Sequence, residues 1–268
     1  MSRIIALASG VLPGEPAETV VDAAAAAGFG GVGLWVEPRE WSSARIATVR
    51  RRAADAGVTI VDTEVLRIDG DGLHDDDKAM VDIAAGLGAA HVLVVGGSGE
   101  AAAIADRYAE LCALGQAAGV AIAIEFMLFS RVRTLDDAAR IVRDAASPAA
   151  RLLLDPLHLD RAGYPTETIA ALPHDWLSYA QFCDAPHAHL APDDASGLLD
   201  EARHDRLLPG DGVLPLRSFV EALPPETPLS LELRSRELRE KHVDPHARAA
   251  AVMQAMNRWL EKQELKCA

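Results

Sequence analysis

The sequence predicts an α/β protein built as a single (β/α)8 barrel over residues 1–268. Three observations carry this expectation. The segments "AAAAAGFGGVGLWV", "RRAADAGVTIVDTEV", "AAGLGAAHVLVVGG" and "GQAAGVAIAIEF" each join an Ala-rich helical end, through a glycine, to a short run of Val, Ile and Leu. Those glycines fall at 28, 57, 88 and 119, at intervals of 29, 31 and 31 residues, and about 30 residues is one strand plus one helix. The apolar runs are continuous rather than alternating, as in a parallel sheet buried on both faces. A chain of 268 residues, half of them apolar, is long enough to close eight such units around one core.

Taken in order, the spacing places strands near 3–8, 31–36, 59–66, 91–96, 121–126, 151–155, 177–182 and 229–234. Helices lie between them, among them "SSARIATVRRRAADAG" and "DDDKAMVDIAAGLG", and "DPHARAAAVMQAMNRWLEKQE" follows the last strand. An open doubly wound sheet is the competing topology. Its dinucleotide fingerprint is missing, because the first strand runs into "SGVLPGEPAE", which has no G-x-G-x-x-G.

Composition narrows the function classes. A formal net charge of −14 argues against a nucleic-acid or anionic-membrane partner, both of which need clustered Lys and Arg. Cys112, Cys183 and Cys267 are odd in number and show no C-x-x-C, which suggests neither a disulfide framework nor a zinc knuckle and fits a reducing, cytoplasmic setting. The opening "MSRIIALASGVLPGEP" is too short in its apolar run for a secretory core, so an unprocessed soluble protein is expected. No Gly-rich phosphate cradle is seen, so a phosphorylated substrate is not supported.

In a barrel of this kind the C-terminal strand ends converge on one mouth. Read in order, the later ends carry Glu125 in "IAIEFM", Asp155 in "LLLDPLH", Gln181 in "YAQFCDAP" and Glu232 in "LSLELRS". These are four oxygen donors on four successive apolar strands. Three close carboxylates repel or take up protons unless a cation neutralises them, so Asp155 reads as a metal ligand.

These residues resemble the xylose isomerase-like TIM-barrel family, which includes ketose 3-epimerases, hydroxypyruvate isomerases, inosose dehydratases and 3-dehydroshikimate dehydratases. The resemblance spans nearly the whole chain in element order, and its specific content is Glu125, Asp155, Gln181 and Glu232, with the D-x-x-H spacing of Asp155 and His158. It implies a (β/α)8 TIM barrel in which the quartet binds one divalent cation and the two glutamates flank the substrate. Gln181 stands where the isomerases and epimerases usually have His, and it resembles the dehydratase branch. The Arg that these epimerases often carry soon after the third ligand is missing from "FCDAPHAHL", the nearest being Arg203 and Arg206 in "DEARHDRLLPGDG".

The residue types imply the chemistry independently. An oxygen-only shell suits Mn or Mg, with Co or Zn left open. Such an ion would polarise a carbonyl so that the proton on the next carbon can be removed, with Glu125 or Glu232 as base. Proton return gives an epimer or an isomer, and loss of a β-hydroxyl gives a dehydrated product. His158, on the loop leaving the mouth, is placed to hydrogen-bond the substrate or to move a proton. Arg203 and Arg234 are candidate substrate-binding residues. Trp35, Glu64, His74, His187 and His189 also lie near strand ends or loops, and for most of them a structural role is favoured. The glycines of "LLPGDG" are accounted for by turn chemistry.

The expected partner is a small hydroxy-ketone, with no nucleic acid and no membrane, and association into a homo-oligomer stays open. Two other classes compete. An endonuclease on the same barrel would need many histidines and a basic face, and a non-catalytic barrel serving as a binding subunit would be free to lose ligands, yet all four are present.

Overall fold

The fold was analysed in a computed structural model that describes residues 3–187 and 190–263. Eight parallel strands run in chain order: β1 (Ile5–Leu7), β2 (Gly31–Trp35), β3 (Thr59–Ile68), β4 (His91–Gly96), β5 (Ala121–Glu125), β6 (Ala150–Leu153), β7 (Ala180–Phe182) and β8 (Leu229–Leu231). They hydrogen-bond in the order β6-β5-β4-β3-β2-β1-β8-β7. A parallel bridge from Leu154 to Ala180, with Gln181 N–H donating to Leu154 O at 2.9 Å, joins the two ends. The result is a nearly closed (β/α)8 barrel rather than an open sheet.

The helices around it are α1 (Ala17–Ala27), α2 (Ser43–Asp55), α3 (Asp75–Leu87), α4 (Ala101–Ala118), α5 (Leu135–Ala145), α6 (Pro156–Arg161), α7 (Ala195–His204), α8 (Leu216–Ala222), α9 (Arg236–Lys241) and α10 (Pro245–Lys262). The repeated glycines do what their spacing predicts. Gly28, Gly57, Gly88 and Gly119 have φ of +84°, +68°, +74° and +73°, a left-handed conformation that ends a helix and costs a glycine little. Polar caps set the other ends, as where Asp244 accepts from Ala247 N–H at 2.8 Å to open α10.

Two apolar layers result. Helix faces pack on the outside of the sheet around residues such as Val32, Ile122, Leu152 and Met256, while Ala6, Val61, Leu93, Ala123, Leu153 and Tyr179 fill the barrel interior. Among the described residues no helix is long and apolar enough to cross a membrane, and Cys112 and Cys183 are buried free thiols.

The last three strands are shorter than expected. β6 ends at Leu153 because Asp155 leaves the ladder to cap α6, accepting from Leu157 N–H at 2.8 Å. β8 ends at Leu231 because the chain bends toward Ser235, which caps α9. β7 begins only at Ala180, because Leu177 and Ser178 are held by side chains, Leu177 O by the Thr227 hydroxyl and the Ser178 hydroxyl by His91.

Candidate active site

Parallel strands deliver their C-terminal ends to one mouth, where a cavity of about 370 Å³ is lined by Glu64, Glu125, His158, Gln181, Arg206 and Glu232, among others. Glu125 is the last residue of β5, Gln181 the centre of β7, and Glu232 the first residue past β8. Asp155 is the N-cap of α6 and His158 lies in its first turn. The D-x-x-H spacing is therefore one helical start, with cap and third residue on the same side. One ligand atom from each of Glu125, Asp155 and His158 lies within 4.8 Å of the others.

The fit to a cation rests on this donor set and on two buried atoms, Glu125 Oε1 and Gln181 Oε1, which have no hydrogen-bond partner. Buried acceptors normally have partners, so an unsatisfied pair facing a carboxylate cluster suits a bound cation.

Asp155 and Glu232 are already partnered. Arg206, 2% exposed, donates to Asp155 Oδ2 at 2.6 Å and pairs with Glu232 Oε2 at 3.2 Å. Arg234 donates to Glu232 Oε1 at 2.7 Å and lies 3.7 Å from Glu64 Oε2. Gly10 makes room for it, because a Cβ there would stand 2.8 Å from Arg234 Nε.

These contacts separate the carboxyl groups. Burial, reinforced by the Asp155 and Glu232 charges, pushes the Glu125 carboxyl well above its ordinary range. Burial acts in the same direction on Asp155 and Glu232, but the Arg206 charge outweighs it and holds both below the usual range, with Arg234 adding to the effect at Glu232. Burial and the Glu232 charge raise Glu64 to about 7. Burial lowers His158 to about 4, so its imidazole is neutral at pH 7. With that imidazole neutral, its 3.8 Å contact with Glu125 is not an ion pair.

Among the other residues singled out from sequence, Trp35 is 45% exposed on the cavity rim, with Arg234 5.8 Å from its ring centre. Arg203 lines the cavity from α7. His74 is structural, since it opens α3 and sits 3.0 Å from Asp71. His187 is exposed, and His189 lies outside the described residues.

Sequence reasoning gave three contributors to this mouth no role in it. Arg206, noted there only as a nearby candidate, is the guanidinium that joins Asp155 to Glu232. Glu64 is 2% exposed against the cavity, and Arg67 lines it from β3. The "LLPGDG" loop that follows Arg206 is more than a turn. The Asp184 carboxylate accepts backbone N–H groups of Gly210, Gly212 and Leu214, each at 3.0 Å, and a Cβ at Gly212 would come within 2.2 Å of Ala185 O.

A (β/α)8 barrel with buried carboxylates and an imidazole at its C-terminal mouth has its candidate site where TIM-barrel enzymes place theirs. The family model described as "Xylose isomerase-like TIM barrel" matches residues 21–263, and the chain belongs to that family. Two curated relatives are 3-dehydroshikimate dehydratases. The one from Pseudomonas putida is 32% identical over 254 residues and the one from Pseudomonas aeruginosa 32% identical over 251. Each match covers 87% of this chain but only 38% of the relative, so the chain spans well under half the length of these proteins. Among solved structures, a xylose isomerase-like TIM barrel/4-hydroxyphenylpyruvate dioxygenase fusion protein aligns with a TM-score of 0.79 and 24% identity, covering 100% of this chain and 45% of that one. The IOLI protein, solved with a bound zinc atom, aligns at 0.76 and 16% identity, covering 96% of this chain and 98% of that one. Both likenesses show the fold.

Proposed function

We propose that this chain is a divalent-metal-dependent dehydratase acting on a carboxylated, hydroxylated cyclic ketone of the 3-dehydroshikimate type. The observation that carries the reading is the pairing, in one cavity, of the oxygen-donor cluster with two guanidiniums, Arg67 and Arg203. Arg67 and Arg203 both line the cavity, and neither makes a hydrogen bond or ion pair among the described residues. In a chain with a net charge of −14, two such groups at the mouth suit an anion, and Arg suits a carboxylate in particular. A ketose has no carboxylate for them. The names of the two curated relatives support the same substrate class.

Glu125, Asp155, Gln181 and Glu232 are the residues assigned to hold the cation, with His158 beside them. When bound, the ion supplies Lewis acidity at the substrate carbonyl. Glu232, kept ionised by Arg206 and Arg234, accepts the proton from the carbon next to that carbonyl. The β-hydroxyl departs as water with the proton that Glu232 took up, and His158 would hydrogen-bond it as it leaves. Mn or Mg is favoured for the oxygen-rich set, and the zinc in the IOLI neighbour keeps Zn in view.

Incubation of the Mn-loaded protein with 3-dehydroshikimate, followed by ultraviolet absorbance, tests the reading. A conjugated product is expected. Activity confined to ketose epimerisation or aldose–ketose exchange overturns it in favour of the isomerase branch. A purified protein that retains less than about a tenth of an equivalent of any divalent ion, even after reconstitution, points to a binding barrel instead.

A further inference from the structure

We propose that Arg206 is a resident counter-cation that keeps the Asp155 and Glu232 carboxylates assembled at the mouth and opposes entry of the divalent ion. The inference rests on the metal reading above and concerns what this chain's own guanidinium does toward that ion.

The donor set is divided in two. Glu125 and Gln181 each leave one buried oxygen without a partner, whereas Asp155 Oδ2 and Glu232 Oε2 face Arg206 at 2.6 and 3.2 Å. Two buried carboxylates this close to one cation are neutralised, and removing the cation would leave them desolvated and mutually repelling. A divalent ion that draws on the same two carboxylates must share them with a fixed positive charge a few ångströms away, which weakens its binding.

Arg206 is not free to swing aside. Its Nε donates to Ala202 O at 2.9 Å, and its backbone N–H reaches Arg234 O at 3.4 Å. The next residue, Leu207, exchanges two backbone hydrogen bonds with Asp184, at 2.8 and 2.9 Å. The Asp184 carboxylate then gathers the N–H groups of the following turn. The guanidinium is thus built into the wall of the site on a braced loop.

The test compares the wild-type protein with Arg206→Met and Arg206→Lys, using melting temperature in chelator and calorimetric titration with Mn²⁺. Arg206→Met should melt lower than wild type without metal, bind Mn²⁺ at least about tenfold more tightly, and gain more in melting temperature on adding it. Arg206→Lys, which keeps the charge but loses the planar fork, should fall between the two, and it carries the same comparison if the Met variant does not fold. Unchanged or weaker Mn²⁺ binding in the variants, or an unchanged metal-free melting temperature in Arg206→Met, overturns the proposal. A wild type that binds no Mn²⁺ beside an Arg206→Met protein that does bind it supports the role of Arg206 and sinks the metal reading. No binding by either sinks both.

Discussion

His158 Nε2 stands 3.8 Å from Glu125 Oε1, with both side chains buried at the barrel mouth. Burial favours the neutral form of each group, lowering the imidazole to about 4 and raising the carboxyl well above its ordinary range. Asp155, next to them, is held ionised by Arg206. Burial and Arg206 thus pull the two carboxyl groups of one candidate cluster in opposite directions, and substitutions should separate them.

Glu125→Gln should leave the metal-free protein at least as stable as wild type, because burial disfavours the ionised carboxyl and the amide has no charge to bury. Turnover should fall at least about a hundredfold, because a residue assigned to hold the cation should matter at least as much as an outer-shell partner, whose loss costs about 10–100-fold. Melting in chelator at pH 7.5, alongside kcat, checks both. A clear loss of stability would show that the carboxyl is ionised and paired in the folded protein.

Asp155→Asn should behave in the opposite way. It removes one partner of the buried Arg206 pair, a change that typically costs about 3–5 kcal/mol, and should abolish metal binding and turnover together. Urea unfolding measures the first effect and metal analysis the second. Retained activity in a metal-free Asp155→Asn protein would remove Asp155 from the site.

Arg67→Ala and Arg203→Ala should raise KM for a carboxylated substrate by about tenfold each while lowering kcat less, since both residues line the cavity without taking part in proton transfer. Steady-state kinetics on the acid and on a neutral analogue of it separate the effect. Equal losses on both substrates would argue against carboxylate binding.

At the other end of the barrel, His91 should make stability depend on pH. Its Nδ1–H donates to Val61 O at 2.8 Å and its Nε2 accepts from the Ser178 hydroxyl at 2.7 Å, an arrangement for the neutral ring. Burial lowers its pKa from 6.5 to about 4. Between those values the unfolded chain binds a proton that the folded chain refuses, so this contribution is intact above pH 6.5 and is lost as pH falls toward 4. At pH 5 about 2 kcal/mol should be gone relative to pH 7. His91→Gln, which can still donate and accept, should lose less over the same range. Urea midpoints at the two pH values give the comparison, and parallel losses in both proteins would exclude His91 as the source.

Much of the mouth is legible in the chain itself. Glycine after each Ala-rich helical end predicts the left-handed caps at 28, 57, 88 and 119, and the same period predicts eight parallel strands. Once the strands are parallel, residues at their C-terminal ends must share one rim. That is why Glu125, Gln181 and Glu232 line a common cavity although they stand far apart in sequence. The Asp155–His158 spacing is likewise local, a cap and the first turn of one short helix.

Which charge meets which was decided only by tertiary structure. Arg206 reaches Asp155 across 51 residues, because the Asp184 carboxylate captures the backbone of the loop after it and turns the guanidinium inward. In sequence Arg206 is one of two nearby arginines, and nothing in its spacing distinguishes it from the exposed Arg203. Glu64 and Arg67 belong to the mouth for a similar reason: β3 runs on to Ile68 and carries both to the cavity. Strand and helix periods are short-range properties that a sequence displays directly. The pairing of buried charges follows from loop closure and desolvation, which exist only after the chain has folded.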